Sequence, residues 1–433
     1  MFQNMIRQVQ HLDAYSLTGK IENIVGMSIE ASGGRAAIGD ICRIYNGETG
    51  KQISAEVVGF KNNRILLMPY ADMSGISAGN FVRNTGRQLT LHVGDFLRGR
   101  IINALGQPLD NKGPFRGGSS YCVTGTPTNP LERPPIRERM EFGVKAIDGM
   151  LTIGKGQRIG IFAGSGVGKS TLMGMVARNV KADINVIALV GERGREVLEF
   201  VQKDLGEEGM RRTVLVVATS DQPAMLRMKC PCVATGIAEY FRDQGNDVLL
   251  MMDSLTRFAM AQREIGLAVG EPPVSRGYTP SIYAELPKLL ERSGNFDKGS
   301  ITGVYTVLVE GDDTNEPIAD TVRGIVDGHI VLSRALATSN HYPAIDVGAS
   351  ISRLMNEIVD PEHKKLASRI RDIMATYEKN ADLVSIGAYK PGTNPKLDFA
   401  LQKIDAINGF LTQYVDESFS YEECVEQMRK LLE

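Results

Sequence analysis

Cysteine and histidine are scarce in this chain, and neither is arranged as chemistry would require. The five cysteines, Cys42, Cys122, Cys230, Cys232 and Cys424, form an odd set in which only Cys230 and Cys232 are close, with one proline between them. That is neither the spacing of a redox pair nor of a zinc knuckle, so a disulfide-stapled scaffold is excluded and reduced, mostly buried thiols are expected. The five histidines, His11, His92, His329, His341 and His363, are scattered, which argues against a Cys/His metal centre. No apolar run approaches the roughly 18 residues of a membrane span, and the opening residues MFQNMIRQVQHL lack the continuous apolar core of a signal peptide, so a cytoplasmic protein is expected. A surplus of one charge is missing too. The 49 Lys+Arg against 51 Asp+Glu give a net charge of −2, which removes the electrostatic reason to expect non-specific nucleic-acid binding.

What is present is a 433-residue chain, 42% hydrophobic, long enough for about three domains. Residues 1–15 place Phe2, Met5, Ile6, Val9 and Leu12 at helical spacing, an amphipathic face that either packs on its own domain or docks a partner. From Leu17 to Gln88 short β runs such as ISAEVVGF (53–60) and RILLMPY (64–70) alternate with turn residues, which predicts a small all-β barrel. Between Gly106 and Pro135 prolines and glycines crowd together, marking a long connection. The pattern then changes to apolar strands separated by helical segments: IGIFA (159–163), INVIALV (184–190), TVLVVA (213–218), DVLLMM (247–252) and ITGVYTVLV (301–309). Strands this apolar are buried on both faces, and intervening helices make them a parallel α/β sheet with right-handed crossovers. From Asp360 onward helical spacing dominates and charge rises. The boundaries read as 1–88 for the amphipathic segment and barrel, 89–358 for the α/β domain and 359–433 for a helical domain.

The strand IGIFA runs directly into AGSGVGKS, that is Ala163, Gly164, Ser165, Gly166, Val167, Gly168, Lys169 and Ser170, and then into a helix beginning at Thr171. Glycines let such a loop turn its N–H groups inward, and the helix N-terminus adds the positive end of a dipole, which together make an anion nest. Lys169 is placed to reach the β- and γ-phosphates, and the Ser170 hydroxyl to ligate Mg²⁺. Ala163 stands where the motif has its first glycine. At a strand end ordinary φ values suffice, so the departure is minor. Asp253 closes the strand VLLMMD and fits a Mg²⁺ role through water, although an Asp after a strand is also a common helix N-cap. Glu192, in GERGREV after the strand INVIALV, lies at the same strand edge as Lys169 and is the candidate for positioning water, with a possible water-mediated metal contact. Arg193 and Arg257 are further candidates, whereas Arg195 reads as a solvated loop residue.

The combination resembles the catalytic-subunit family of rotary ATP synthases, and within it the ATPases of type III protein export. PAIDVGASIS (343–352) resembles that family's signature segment, and MDSLTRFAMAQREIGLAVGEPPVSRGYTPS (252–281), YTVLVEGDDTNEPIADTVRGIVDGHIVLSR (305–334) and LVSIGAYKPGTNP (383–395) resemble its export branch, the VEGDD and NEPIADTVR wording pointing to flagella. The resemblance covers essentially the whole chain and implies a RecA-like α/β core with the phosphate loop, an N-terminal β-barrel and a C-terminal helical domain. It implies ATP as substrate with Mg²⁺, Arg353 as an arginine finger reaching a neighbouring subunit's site, Tyr342 stacking on adenine, and FLTQ (410–413), with Phe410, as a second adenine-contacting segment. Glu192 and Arg353 in one chain imply a homo-hexamer with sites between subunits. The implied setting is the cytoplasmic face of an inner-membrane export apparatus. The implied partners are a negative regulator or stator protein, a central coiled-coil stalk protein, a membrane export gate and chaperone–cargo complexes, with no nucleic acid. An injectisome ATPase and a rotary synthase catalytic subunit are the alternatives within the family. A hexameric RNA translocase of the transcription-terminator type is disfavoured, because the barrel offers few stacking aromatics and its basic residues are offset by acids. A non-catalytic ring subunit is disfavoured by Glu192. The breaker-rich segment from Gly266 to Pro280 is expected to form a long loop facing the channel of a ring.

Overall fold

Alternating buried and exposed residues close the first unit on itself. The computed structural model describes residues 18–47, 49–125, 129–309 and 316–433; the amphipathic segment 1–15 and the EGDDTN portion of the export-type stretch lie outside them. Strands β1 (Thr18–Val25), β2 (Ser28–Ser32), β3 (Ile41–Tyr45), β4 (Gln52–Lys61), β5 (Arg64–Pro69) and β6 (Phe81–Asn84) form a closed antiparallel barrel in the order β1-β2-β5-β4-β3-β6. Every second residue points inward, so Ile21, Ile29, Cys42, Ile44, Ile53, Ala55, Val57, Leu67 and Val82 make its core. Closure leaves no edge strand to template aggregation. Asn62 and Asn63, both with positive φ (49° and 63°), make the two-residue turn between β4 and β5, a conformation asparagine tolerates. The same compact unit includes Gln222–Leu226 and Ala261–Pro280. In the latter segment the helix Leu255–Val269 continues three residues beyond Gly266, so the expected loop is shorter. Gly266 is needed there because a Cβ would sit 2.5 Å from Thr279 Oγ1.

The second unit is built on a sheet whose strands are β8 (Ile101–Asn103), β12 (Arg158–Ala163), β13 (Ile184–Val190), β14 (Thr213–Ala218), β15 (Asp247–Asp253), β17 (Ser300–Leu308), β18 (Gly328–Leu332) and β19 (Ile345–Ser352), in the order β19-β18-β12-β17-β15-β13-β14-β8. The short β16 (Gly294–Asn295) adds antiparallel to β17, and β19 is antiparallel to β18; the other pairings are parallel. The five strands expected from apolar runs are all present, within a residue or so of their expected ends. Those that periodicity did not announce are β8, three residues long, and the outer pair β18 and β19, whose alternating burial belongs to an edge. Within the long connection, β9 (Ser119–Cys122) pairs with β7 (Thr90–Val93) in a separate ribbon, as β10 (Arg139–Met140) does with β11 (Ile153–Gly154). Of the thiols, Cys42, Cys230 and Cys424 are buried, Cys232 is half-buried and Cys122 is exposed.

Three helices, Pro361–Ser385, Pro395–Leu411 and Tyr421–Leu432, complete this unit. Each starts on a side-chain cap, from Asp360, Asn394 and Ser420, the last in a reciprocal capping box with Glu423. Their apolar faces share one core with the sheet: Ile370, Ile407, Phe410 and Met428 join Met150, Met173 and Ile345. His363 pins this junction. It is fully buried, its Nε2 donates to the Gly149 carbonyl at 2.6 Å, and its Nδ1 accepts from the Tyr421 hydroxyl at 2.8 Å. Burial holds its imidazole below the usual histidine range, so it is neutral in the fold. Because the unfolded chain binds the proton more readily, this contribution is full above the ordinary histidine pKa and fades as pH falls below it. His363→Ala is therefore expected to lower unfolding stability by about 2–4 kcal/mol at neutral pH, two buried partners being left unpaired, and the gap from wild type to narrow by about pH 5. Urea titrations followed by helical circular dichroism at both pH values check this.

Candidate active site

The site grows from the C-terminal ends of β12, β13 and β15, the edge where an open parallel sheet presents its crevice. Ala163 is fully buried as the last residue of β12, paired with Leu308 on one side and Leu332 on the other, so no glycine is required at that position. Beyond it, Gly166 and Gly168 take φ of +79° and +88°, the left-handed region where a side chain would be strained. Val167 is buried and anchors the loop, while Ser165, Gly166 and Ser170 are exposed. Gly168 caps the helix Lys169–Asn179, whose first-turn amides have no intrahelical acceptor and stand ready for an anion. Lys169 is its first residue, followed by the exposed Ser170 and the half-buried Thr171.

Three charges meet beside this loop. The Lys169 ammonium pairs with Asp253 Oδ1 and stands 3.8 Å from Glu192 Oε1. Asp253, the last residue of β15, also accepts from Thr306 Oγ1 at 2.7 Å. Two carboxylates thus share one ammonium in a nearly dry setting, where side-chain exposures are only 12% for Lys169, 13% for Glu192 and 5% for Asp253. Burial, and then the neighbouring Asp253 charge, push the Glu192 carboxyl up to about 7, against the opposing pull of Lys169 and Arg257. The proton that Glu192 retains is shared with Glu196, whose carboxyl is lowered by that hydrogen bond. Arg257 lies against Gly191, where a Cβ would fall 3.1 Å from its Cδ, and its buried Nε has no acceptor among the described residues. Gly191, with φ +69°, thus both turns the chain and makes room for Arg257 beside Glu192.

The sequence-expected residues separate into those this crevice gathers and those it does not. Lys169, Glu192, Asp253 and Arg257 are gathered. Arg193, 73% exposed and 3.9 Å from Glu196, points to solvent, as does Arg195, 77% exposed and 3.9 Å from Glu199. Tyr342 is 40% exposed, and its ring lies against the phosphate loop, 3.4 Å from where a Gly168 Cβ would be. Phe410 is 5% exposed and packs in the core against Gly149, so its ring is a structural group in this structure. Arg353 is exposed just past β19; its guanidinium donates to the Arg323 carbonyl at 3.4 Å and its backbone N–H to the Asp327 carbonyl at 3.0 Å.

Residues that the sequence did not single out complete the geometry. Thr306 reaches Asp253 because β17 lies beside β15 with Met252 opposite Tyr305. Gln413, the last residue of FLTQ, is buried; its N–H donates to the Tyr342 carbonyl at 2.9 Å while its side chain binds Lys145 N and the Gly143 carbonyl. It ties two distant loops together, and the next residue, Tyr414, is 74% exposed. Glu196, in the first turn of the helix Gly194–Glu199, is brought to Glu192 by the turn at Gly191, which no spacing in the sequence announces. A loop of free amides, an ammonium, an exposed serine hydroxyl and two buried carboxylates suit a polyphosphate accompanied by a hard divalent cation, which prefers oxygen donors.

Comparison with known proteins identifies the family. Residues 143–352 match the ATP synthase alpha/beta family, nucleotide-binding domain, residues 21–86 the beta-barrel domain of the same family, and residues 359–430 the T3SS EscN ATPase C-terminal domain. A flagellum-specific ATP synthase of Bacillus subtilis (strain 168) is 54% identical over 430 residues, spanning 99% of this chain and 98% of that protein. A type 3 secretion system ATPase of Xanthomonas euvesicatoria is 48% identical over 408 residues, spanning 94% and 92%. The structure of the assembled ATPase EscN from the enteropathogenic E. coli type III secretion system matches with a TM-score of 0.91 at 47% identity, covering 96% of this chain and 100% of that one. EscN in complex with its central stalk EscO gives 0.89 at 46% identity, again over 96% and 100%. The chain belongs to the ATP synthase alpha/beta family, in its branch of flagellar and type III secretion ATPases.

Proposed function

We propose that the chain hydrolyses Mg·ATP to energise type III protein export, in the flagellar apparatus, as a homo-hexamer with catalytic sites between copies. The observation that carries this reading is the sharing of the Lys169 ammonium between Asp253 and Glu192 at the mouth of the phosphate loop. The loop amides and Lys169 hold the phosphates. The cation that arrives with ATP neutralises phosphate charge, and the Ser170 hydroxyl and the Asp253 carboxylate are the groups that would hold it, with Glu192 within reach through water. Glu192, as its carboxylate, orients the water that attacks the terminal phosphorus as the bond to the bridging oxygen breaks. Tyr342 and Tyr414, exposed on loops joined through Gln413, are the aromatic groups for the base. Arg353 stabilises the transferring phosphoryl in the neighbouring copy; its exposure and its lack of a carboxylate partner among the described residues support an action outside its own chain. An arginine finger contributes about 10³ to 10⁵ in rate, or about 4–7 kcal/mol, so isolated copies should be nearly inactive.

The export reading is supported by the likeness to EscN, solved as an assembly and with its stalk EscO, and the flagellar assignment by the names of relatives such as the Bacillus subtilis protein. A stalk, a regulator acting through residues 1–15, an export gate and chaperone–cargo complexes are the proposed partners. They would place the ring on the cytoplasmic face of the membrane apparatus.

Two measurements test the proposal. Phosphate release should require Mg²⁺, proceed without nucleic acid and rise more steeply than linearly with protein concentration, and Lys169→Ala should abolish it; activity strictly proportional to concentration would contradict the ring. In the free enzyme Glu192 becomes a carboxylate only as pH passes about 7, so kcat/KM should climb between about pH 6 and 8. Glu196→Ala removes the acceptor that helps Glu192 keep its proton, and so should move that limb to lower pH. A pH profile that is flat in wild type would rule out Glu192 in this role.

A further inference from the structure

Each end of β15 carries an aspartate that takes a hydroxyl from the neighbouring β17 and an ammonium from a lysine, and the two are wired differently. At the first residue of the strand, Asp247 lies opposite Ser300; Ser300 Oγ donates to its Oδ1 at 2.7 Å and Lys155 Nζ pairs with its Oδ2 at 2.8 Å, so each oxygen has one of these donors. At the last residue, Thr306 Oγ1 donates to Asp253 Oδ1 at 2.7 Å and the Lys169 ammonium pairs with that same oxygen. Asp253 Oδ2 has no hydrogen-bond donor among the described residues. In a side chain only 5% exposed, two donors are gathered on one oxygen and the lone pairs of the other are left unspent.

The sheet fixes the position of Thr306. It is fully buried on β17, between β12, which leads into the phosphate loop, and β15, which ends in Asp253. The parallel ladder sets Met252 opposite Tyr305, and beyond it Thr256 accepts from the Leu308 N–H at 2.9 Å, so the two segments are tied on both sides of the Asp253–Thr306 contact. A β-branched side chain has few rotamers to choose from, which keeps its hydroxyl aimed. The Lys169 ammonium, on a flexible stem, is the mobile partner of the two. The proposed function moves it to the phosphates of the nucleotide, and Thr306 is then the donor that remains on Oδ1. We propose that Thr306 is a positioning residue for hydrolysis: it holds the Asp253 carboxylate by Oδ1 while Lys169 serves the phosphates, so that Oδ2 is the oxygen kept for the cation of Mg·ATP. Hydrogen bonds that orient a metal-facing group in this way contribute about 10- to 100-fold in metal affinity or activity. The inference rests on the reading of Asp253 as the carboxylate that faces the cation, and gives a role to a residue outside the phosphate loop.

The test uses the full chain with Thr306→Val, Thr306→Ser and Thr306→Ala, and Asp253→Asn as reference. Binding of a fluorescent ATP analogue is titrated in EDTA and in Mg²⁺, and phosphate release is followed as a function of Mg²⁺ concentration. Thr306→Val keeps the volume and removes the donor. It should bind the analogue in EDTA within about twofold of wild type, while the gain in affinity that Mg²⁺ confers falls about tenfold and the Mg²⁺ concentration for half-maximal hydrolysis rises about as much. Thr306→Ser, which restores the donor, should bring both quantities back to within about threefold of wild type. Thr306→Ala removes the same donor and should show the same loss, which keeps the inference testable if Thr306→Val does not fold. A folded Thr306→Val or Thr306→Ala protein with the wild-type gain from Mg²⁺ overturns the inference, and so does an equal loss of affinity in EDTA and in Mg²⁺, which would mark general damage to the crevice. An Asp253→Asn protein that gains as much from Mg²⁺ as wild type would instead overturn the reading of Asp253 itself.

Discussion

Two buried carboxylates and one ammonium at the end of a parallel sheet set the terms for everything around them. Lys169 is drawn to Asp253 and Glu192, and its single charge does not satisfy both. Burial, and then the Asp253 charge, raise the Glu192 carboxyl to about 7 and it shares a hydrogen bond with Glu196, while Thr306 supplies Asp253 with a further donor. A site held in this way is electrostatically incomplete. Under the proposed function a polyphosphate with its divalent cation would complete it: the phosphates would take Lys169 and the carboxylates would face the cation, which would couple nucleotide binding to the ionisation of Glu192.

The scaffold brings these groups together by placing their strands nearby in a sheet order that the chain does not follow. β12 and β13 are consecutive among the long strands, yet β17 and β15 lie between them, so Lys169, Asp253 and Glu192 converge from segments far apart in sequence. Toward the other end of the sheet, Arg353 lies exposed just past β19. A crevice with two carboxylates and an exposed arginine apart from it, on one chain, suit the proposed ring of copies joined head to tail. In that arrangement each copy gives a finger and receives one.

Much of this was legible in the sequence because the signals were local. The apolar runs of β12 to β15 and β17 announce strands buried on both faces, the glycines of the loop announce positive φ, and a lone Asp ending an apolar strand stands out. What was not legible depends on which strands and loops become neighbours. Thr306 matters only through the pairing of β17 with β15, and Gln413 only through a bond to a loop some seventy residues away. Phe410 follows helical spacing, and that spacing turns its ring into the core, while the tie formed by Gln413 leaves Tyr414 exposed. The glycine at 266 reads as a helix breaker, yet the helix runs on through it, and its missing side chain serves a close approach to Thr279.

Complementation between two crippled proteins bears most directly on sites shared between copies. Glu192→Ala and Arg353→Ala, each nearly inactive alone, should regain Mg²⁺-dependent ATP hydrolysis when mixed, because some interfaces then pair an intact Glu192 with an intact Arg353. If the two co-assemble and the mixture stays as inactive as its parts, Arg353 does not act across an interface and the composite-site mechanism is wrong.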